Sequence, residues 1–265
     1  MTDYFRDKVC VVTGAASGMG LQLAKDLLAA QGIVFMADVN AKALEQARDS
    51  LGGNRAHAVA VDVTSESQVR ALAEHVVACC GRLDILFNNA GIGATMPWET
   101  LTLDVWRKVL DINLWGVINC LHFTVPLMRK QGGGHIVNIS SVGGLLNIPY
   151  QAAYCAGKAA VAAIGECLRF ELAHENIRVT TVYPGNVATP IFASAGAIPD
   201  DAIPVERASE TILKAVAARE SAVIFPEEVR LWAEQVRHDA DFQEKTMLHM
   251  AEERRRNYQA RGRYF

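Results

Sequence analysis

Tyr154 and Lys158 carry side chains that can exchange protons, and they lie four residues apart in the Ala-rich segment 153–160. On a helix this spacing places two residues side by side on one face. An isolated tyrosine has a pKa near 10, and a neighbouring ammonium group favours its phenolate. Lowering that pKa by about two to three units needs roughly 3–4 kcal/mol of differential stabilisation, which positive charges in a water-poor cleft can supply. The pair predicts acid–base chemistry on an alcohol or ketone, the alternative being a packed tyrosine beside a snorkelling lysine.

Two further polar residues favour the chemical interpretation. Ser141 follows the apolar run 135–140, and the carboxyl ends of parallel strands are where such sheets bind ligands. Its hydroxyl can hold a substrate oxygen. Asn113 lies in "DINLWG", within a long and largely apolar helical segment. Asparagine is a poor helix former, so we expect it to bond to local backbone or to hold a water.

A glycine-rich segment, "TGAASGMG" at 13–20, lies between the first predicted strand and the first long helical pattern. Glycine allows positive φ and close approach of the backbone to a ligand. The N-terminus of the helix offers free N–H groups to a pyrophosphate. In this position the segment favours a dinucleotide site over a plain turn. The residues expected to form it are Gly14, Ser17, Gly18, Met19 and Gly20.

Asp38 ends the second predicted strand, about twenty residues after the glycine segment. A carboxylate there can accept the ribose hydroxyls of the adenosine half and would repel a 2′-phosphate, so the predicted cofactor is NAD. Asp62 closes the third predicted strand, and we expect it to meet the adenine amino group with Val63 beside the ring. The alternative role of Asp62 is a helix N-cap near Thr64 and Ser65.

The elements that must position these residues follow from hydrophobic patterning. Continuous apolar runs indicate strands covered on both faces, at residues 8–12, 33–38, 56–62, 83–89, 135–140, 177–183 and 222–225. Helical spacing occurs between them, at 18–31, 41–51, 66–80, 103–130 and 154–174. The alternation predicts an α/β fold, a Rossmann-type doubly wound, seven-stranded parallel sheet with helices on both faces. We expect residues 1–265 to form one catalytic domain, with 226–265 as a charged helical extension solvated or docked on this or a neighbouring subunit. Contact of its basic end with a membrane surface or an acidic partner is the alternative.

Composition limits the function classes. Of 265 residues, 51% are hydrophobic and 21% charged, and the net charge is −3, which does not favour nucleic acid or an acidic membrane surface. No segment predicts a membrane span. The six cysteines show no metal-ligand spacing, so we expect no metal site and interpret the cysteines as reduced core thiols of a cytoplasmic protein. Cys155 is adjacent to Tyr154 in sequence, but adjacent residues of a helix point about 100° apart. We therefore expect Cys155 to take no part in the chemistry of Tyr154.

Taken in order, these residues resemble those of the short-chain dehydrogenase/reductase family, over residues 8–190. The matching positions are Thr13-Gly-x-x-x-Gly18-x-Gly20, "NNAG" at 88–91, Asn113, Ser141, Tyr154-x-x-x-Lys158, and "PG" at 184–185 followed by Thr189. Between Tyr and Lys the family usually has Ser-x-Ser, whereas this chain has Cys155-Ala156-Gly157. Gly157 weakens a helix by up to about 1 kcal/mol relative to alanine but permits close packing of a neighbouring helix.

The resemblance implies a role for each position. Tyr154 would be the acid/base, with Lys158 lowering its pKa and binding the nicotinamide ribose. Ser141 would polarise the substrate oxygen, and Asn113 would hold a water in a relay to Lys158. Further cofactor contacts are implied for Asn89, Ala90 and Gly91 and, around the carboxamide, for Pro184, Gly185, Val187 and Thr189. The family also implies a homotetramer, or a homodimer, through helices 103–130 and 154–174, for which Ala159, Ala160, Ala162, Ala163 and Gly165 are small enough; their burial inside one subunit is the alternative.

The segment 190–205 is apolar and punctuated by Gly and Pro, which is typical of a mobile lid over a substrate. Other expected pocket residues are Gly93, Ala94, Met96, Val142, Leu145, Pro149 and Phe192. None is basic, so the expected substrate is an uncharged, fairly hydrophobic secondary alcohol or ketone. Two alternatives stay open: a β-ketoacyl-type carbonyl reductase, and a non-catalytic NAD-binding regulatory protein.

Overall fold

The computed structural model describes residues 2–265, and its centre is one parallel sheet of seven strands in the order β3-β2-β1-β4-β5-β6-β7. The strands are β1 (Val9–Thr13), β2 (Ile33–Asp38), β3 (Ala56–Ala60), β4 (Ile85–Asn88), β5 (Gly134–Ile139), β6 (Ile177–Pro184) and β7 (Ala222–Phe225). Each predicted strand is confirmed, with ends that differ by at most two residues. The strand order reverses between β1 and β4, which creates a crevice at the carboxyl ends of the central strands.

Helices cover both faces of the sheet. They are α1 (Thr2–Phe5), α2 (Gly18–Ala29), α3 (Ala41–Leu51), α4 (Glu66–Cys80), α5 (Leu103–Leu110), α6 (Gly116–Lys130), α7 (Ala152–Glu171), α8 (Val205–Ala218), α9 (Glu227–His238) and α10 (Ala240–Arg261). One hydrophobic cluster joins α2, α3 and α8 to the sheet, and a second joins α4, α6 and α7 to the opposite face. All five residues of β1 are buried, as a strand covered on both faces requires. No helix among residues 2–265 is long and apolar enough to cross a membrane.

The segment 103–130 is not one regular helix. Between α5 and α6 the residues Asp111–Trp115 form a π-helical turn, and Asn113 lies at its centre with its side chain fully buried. Both polar groups of that side chain bond to Ile92: its Oδ1 accepts from the amide N (2.8 Å) and its Nδ2 donates to the carbonyl (2.9 Å). The turn therefore presents Asn113 to the loop after β4.

The small residues of α7 do not share one face. Ala159 and Ala163 are exposed, whereas Ala162 and Gly165 are buried. A Cβ at Gly165 would lie 2.3 Å from the Oγ1 of Thr181 in β6. The prediction that Gly165 belongs to a subunit contact is wrong, because its lack of a side chain lets α7 approach the sheet.

The cysteines also divide. Cys10, Cys120 and Cys155 are buried, but Cys79 and Cys167 are exposed. The expectation of core thiols is wrong for these two, which lie on the outer faces of α4 and α7.

Helices α9 and α10 pack back onto the loop between β5 and α7. Their Ala233 and Val236 form a hydrophobic cluster with Leu146, Ile148 and Cys155. The extension thus docks on its own chain, close to Tyr154, as one of the predicted alternatives states.

Candidate active site

A cavity of about 810 Å³ opens at the carboxyl ends of β1, β4, β5 and β6. It is lined by most of the residues that the sequence singles out: Gly14, Ser17, Gly18, Met19, Asp38, Asn89, Ala90, Gly91, Gly93, Ser141, Val142, Tyr154, Lys158, Pro184, Gly185, Val187, Thr189 and Phe192. Strands and loops far apart in sequence therefore bring the proposed catalytic and cofactor residues to one space.

Tyr154 and Lys158 lie on the first turns of α7, as the spacing predicts. The Lys158 Nζ is 5.8 Å from the centroid of the Tyr154 ring and donates to the carbonyl of Ile139 at the end of β5 (2.8 Å). A Cβ at Gly91 would lie 3.4 Å from that Nζ, so the loop after β4 closes over the ammonium group. Only 3% of the surface of Lys158 is exposed, so its ammonium group is a buried cation in the wall of the cavity.

Burial controls the pKa values of both groups. Loss of solvent raises the pKa of Tyr154 to about 12, although the Ser141 hydroxyl acts in the opposite direction. Loss of solvent also lowers the pKa of Lys158 to about 8. The expected lowering of the Tyr154 pKa is therefore not found in the chain alone, because desolvation of the phenolate is the largest effect and Lys158 is not among the groups that shift this pKa.

Ser141 follows β5, and its Oγ accepts a hydrogen bond from the N–H of Gly143 (3.1 Å). A Cβ at Gly143 would lie 3.5 Å from that Oγ and 3.4 Å from Cε1 of the Tyr154 ring. The two hydroxyl-bearing side chains thus flank one glycine. The Ser141 proton remains available to a substrate oxygen, because the bond to Gly143 uses only a lone pair.

The glycine segment has the shape of a cradle for a bound group. Gly14 and Gly18 have φ of 66° and 53°, and a Cβ at Gly20 would lie 2.2 Å from the carbonyl oxygen of Gly14. Ser17, the N-cap residue of α2, makes no side-chain cap bond, so the first N–H groups of the helix face the cavity without a side-chain partner. Asn89 secures the loop by donating to the carbonyl of Thr13 (2.9 Å). These features fit a pyrophosphate.

Asp38 holds the other side of the glycine segment. Its Oδ2 accepts from the N–H of Ala16 (3.0 Å) and its Oδ1 from the N–H of Asn40 (2.9 Å). Each oxygen keeps further lone pairs for ribose hydroxyls. The carboxylate thus fits the adenosine half of a dinucleotide.

Asp62 and Val63 line a second cleft, of about 590 Å³, that adjoins the first at Gly14 and Asp38. The Oδ1 of Asp62 accepts from both the N–H (2.9 Å) and the hydroxyl (2.7 Å) of Thr64. Asp62 therefore forms a turn and does not cap α4, whose N-cap residue is Ser65. Arg107 and Lys108 line this cleft too, and sequence reasoning missed both.

Eight predicted residues do not line the main cavity: Gly20, Asp62, Val63, Asn113 and the four pocket residues Ala94, Met96, Leu145 and Pro149. Met96 bonds through its N–H to the carbonyl of Tyr150 (2.8 Å), and Leu145 packs in the cluster under α9. Pro149 contributes its carbonyl to a bond with Arg254. Ala94 is buried in a separate cluster beneath Tyr154. These residues are close in sequence to residues that line the cavity, but closeness in sequence does not determine the direction of a side chain.

Sequence reasoning also missed the five lining residues that come from the extension: Glu228, Val229, Trp232, Met250 and Arg254. Met247, Met250 and Arg254 follow helical spacing on one face of α10, but the helix as a whole is too evenly polar to give an amphipathic signal. Arg254 and Lys108, which both line the main cavity, correct the premise that no further arginine or lysine reaches the pocket.

The comparisons with known proteins agree with this geometry. The profile of the short chain dehydrogenase family matches residues 8–198, and the chain belongs to that family. Cyclohexanol dehydrogenase of Acinetobacter sp. (strain SE19) is 36% identical over 197 residues, covering 73% of this chain and 78% of that protein. Dehydrogenase/reductase SDR family member 7B of Mus musculus is 37% identical over 198 residues, 72% of this chain, and the match spans only 61% of that protein.

Two solved structures are similar over most of the chain. A short chain dehydrogenase/reductase from Burkholderia phymatum in complex with NAD has a TM-score of 0.83 and 27% identity, covering 91% of this chain and 96% of that chain. A short chain dehydrogenase from Burkholderia cenocepacia J2315 in complex with NADP has a TM-score of 0.82 and 26% identity, covering 92% and 98%. The chain is therefore an oxidoreductase whose fold takes a nicotinamide cofactor.

Proposed function

We propose that this protein is an NAD(H)-dependent dehydrogenase that interconverts a secondary alcohol and its ketone, with Tyr154 as the acid/base and residues 1–265 as one catalytic domain. The observation that carries the proposal is the meeting of Tyr154, Ser141 and Lys158 in the cavity that also contains the glycine cradle. The relative named for cyclohexanol supports an alcohol with an apolar body. Hydride transfer is supplied by the nicotinamide ring when it is bound.

The side chains of this chain manage the proton. Ser141 donates to the substrate oxygen and fixes its position, and Tyr154 takes the alcohol proton or returns it to the ketone oxygen. With a pKa of about 12 the buried phenol is too weak a base at neutral pH, so it needs added positive charge nearby before it acts. Lys158 is already present in the chain and does not bring this pKa down, so the positive charge of an oxidised nicotinamide, when bound, would have to contribute the rest. The Asn113 side chain bonds to Ile92 through one N–H and one lone pair, and it keeps a second of each with which to hold the proposed water.

Asp38 is the basis for NAD over NADP. A 2′-phosphate on the ribose would meet a carboxylate whose oxygens are oriented by the N–H groups of Ala16 and Asn40. The solved relatives include both an NAD and an NADP complex, so the choice rests on this residue.

We still propose a substrate with a hydrophobic body, but we no longer propose that the substrate is uncharged. Ile92, Val142, Ile148, Phe192, Trp232 and Met250 line the cavity and favour an apolar ligand. The expectation of an uncharged ligand depended on the lack of a cation, and Arg254 removes that support. The 190–205 lid, the homotetramer and the cytoplasmic location remain predictions.

The test is the Tyr154→Phe variant. It removes one oxygen, so we expect turnover of secondary alcohols to fall by at least about 100-fold while NADH still binds, as measured by nicotinamide fluorescence. The wild-type enzyme is screened with secondary alcohols and both cofactors by nicotinamide absorbance. Full activity of Tyr154→Phe would refute the role of Tyr154, and a strong preference for NADP would refute that of Asp38.

A further inference from the structure

Arg254 is an arginine of α10 that is buried at the edge of the active-site cavity, with 7% of its surface exposed. Its Nη1 donates to the carbonyl of Pro149 (2.6 Å), and the ring of Phe265 lies 4.8 Å from its guanidinium carbon. These contacts hold the guanidinium against the loop that leads into α7.

Arg254 forms no close ion pair in the described part of the chain, and the negative charge of the adjacent Glu253, an exposed residue, acts on it only from farther away. No carboxylate of residues 2–265 forms an ion pair with it within 4.0 Å, and the bond to Pro149 is its only side-chain hydrogen bond there. An arginine has five N–H donors, so most of its donors lack a protein acceptor. Burial lowers its pKa to about 10, which still leaves it charged at neutral pH. An uncompensated buried charge is costly, and such a charge is normally balanced by a partner.

The position of Arg254 points to the substrate as that partner. The residue lines the cavity that contains Tyr154, together with the apolar side chains of Trp232 and Met250. Arg254 is hydrogen-bonded to Pro149. Pro149 lies five residues before Tyr154, so the Cα atoms of Pro149 and Tyr154 are at most about 18 Å apart. The glycine cradle has different neighbours, Thr189 and Asn89, so Arg254 does not belong to the pyrophosphate site.

We propose that Arg254 binds a carboxylate of the substrate, at the end remote from the reacting carbon. The substrate class is then a hydroxy acid, or the matching keto acid, with an apolar body between the two groups. A guanidinium can hold a carboxylate by two parallel hydrogen bonds, which fixes the distance from that carboxylate to the carbon presented to Tyr154. The inference rests on the proposed function and narrows its substrate.

A purely structural role for Arg254 makes a different prediction. If the residue only fastens α10 to Pro149, its loss disturbs every substrate equally. If it binds a carboxylate, its loss affects acids and leaves uncharged alcohols of the same shape unaffected. The ratio of the two rates is therefore the decisive measurement.

The experiment uses pairs of alcohols with a common ring: 3- and 4-hydroxycyclohexanecarboxylate and 3-hydroxycyclopentanecarboxylate, each beside its carboxamide. We expect the full-length wild-type enzyme to oxidise at least one acid with a kcat/KM at least about 10-fold above that of its amide. Arg254→Met should lower kcat/KM for the acid by about 10- to 100-fold, mostly through KM, and change that for the amide by less than about 3-fold. Arg254→Lys should recover part of the loss. Arg256→Met, an exposed neighbour on the same helix, is the matched control and should change neither rate.

Each outcome decides the matter. Equal rates for acid and amide with the wild-type enzyme, or a preference for the amide, overturn the role of Arg254 without any variant and leave the proposed function intact. An equal loss for both compounds in Arg254→Met shows a structural role only. Absence of turnover with every pair and with all uncharged alcohols refutes the proposed function and this inference together.

Discussion

Burial and charge oppose each other at Tyr154 and Lys158. In water a cation beside a phenol favours the phenolate, but the cavity takes solvent from both groups, and each is driven toward its neutral form. The residue types and their spacing predicted the pair and its place on a helix. They could not predict the pKa values, because desolvation depends on Gly91, Ile139 and other residues brought there by the whole fold.

The buried ammonium of Lys158 makes stability depend on pH. Its folded-state pKa of about 8 lies below the ordinary value of 10.5, so between these values the unfolded chain binds more protons and stability rises with pH. We expect the unfolding free energy of the wild type minus that of Lys158→Met to rise between pH 8 and pH 10.5, by on the order of 3 kcal/mol in total. Below pH 8 both states of the wild type are protonated and the difference should be flat.

Urea unfolding of the cofactor-free proteins at several pH values measures this difference. Lys130→Met, which removes an exposed ammonium on α6, is the control and should show no such rise. A difference for Lys158→Met that is constant or falls over the same range contradicts the burial of a charged group there.

The strands of this chain can be predicted from the sequence, whereas some features of its helices cannot. Runs such as "VCVVT" are buried on both faces, so consecutive hydrophobicity indicates them directly. The π-helical turn depends on a bond between Asn113 and Ile92, 21 residues apart, which no local pattern encodes. The place of Gly165 could not be predicted from its size, because a small residue suits a contact with the sheet as well as one with a second subunit, and only the approach to Thr181 decides between them.

The two helical glycines of α7 should respond in opposite ways to an added methyl group. A Cβ at Gly157 would meet Asn113 and Leu110 at 3.4 and 3.6 Å, ordinary contact distances. Gly157→Ala should therefore stabilise the protein by about 0.5–1 kcal/mol, through the higher helix propensity of alanine. Gly165→Ala would place a Cβ 2.3 Å from the Thr181 Oγ1 and should destabilise by about 1–3 kcal/mol.

Denaturant unfolding of both variants at one pH tests the packing of α7. Each variant is the control for the other, since both add the same atoms to the same helix. Equal effects, or a stable Gly165→Ala beside a destabilised Gly157→Ala, would show that α7 is rotated from the orientation described.

Across the whole molecule, the extension joins the two sides of the active-site cavity. The N–H of Tyr264 donates to the carbonyl of Ala195 (3.0 Å), and the rings of Phe265 and Phe192 meet edge to face at 5.7 Å. The proposed lid and the end of α10 thus share contacts, while Arg254 bonds to the loop before Tyr154. Arg254 is therefore linked to the proposed lid through Phe265, whose ring lies against both Arg254 and Phe192.

The proposed assembly has its own test on the outer face of α7. Ala159 and Ala163 are exposed there, and the same helix exposes 64% of Phe170, so a matching helix of a second copy would bury apolar surface. We expect the wild type to sediment as a tetramer, or as a dimer, and Ala163→Arg to sediment as a smaller species at the same concentration, because a guanidinium cannot enter a close contact of small residues. Ala71→Arg, on an exposed position of α4, should leave the mass unchanged. A wild-type monomer, or an Ala163→Arg variant of unaltered mass, would show that α7 does not form the subunit contact. If Ala163→Arg does dissociate, its rates with alcohols show whether the site works without a neighbouring subunit.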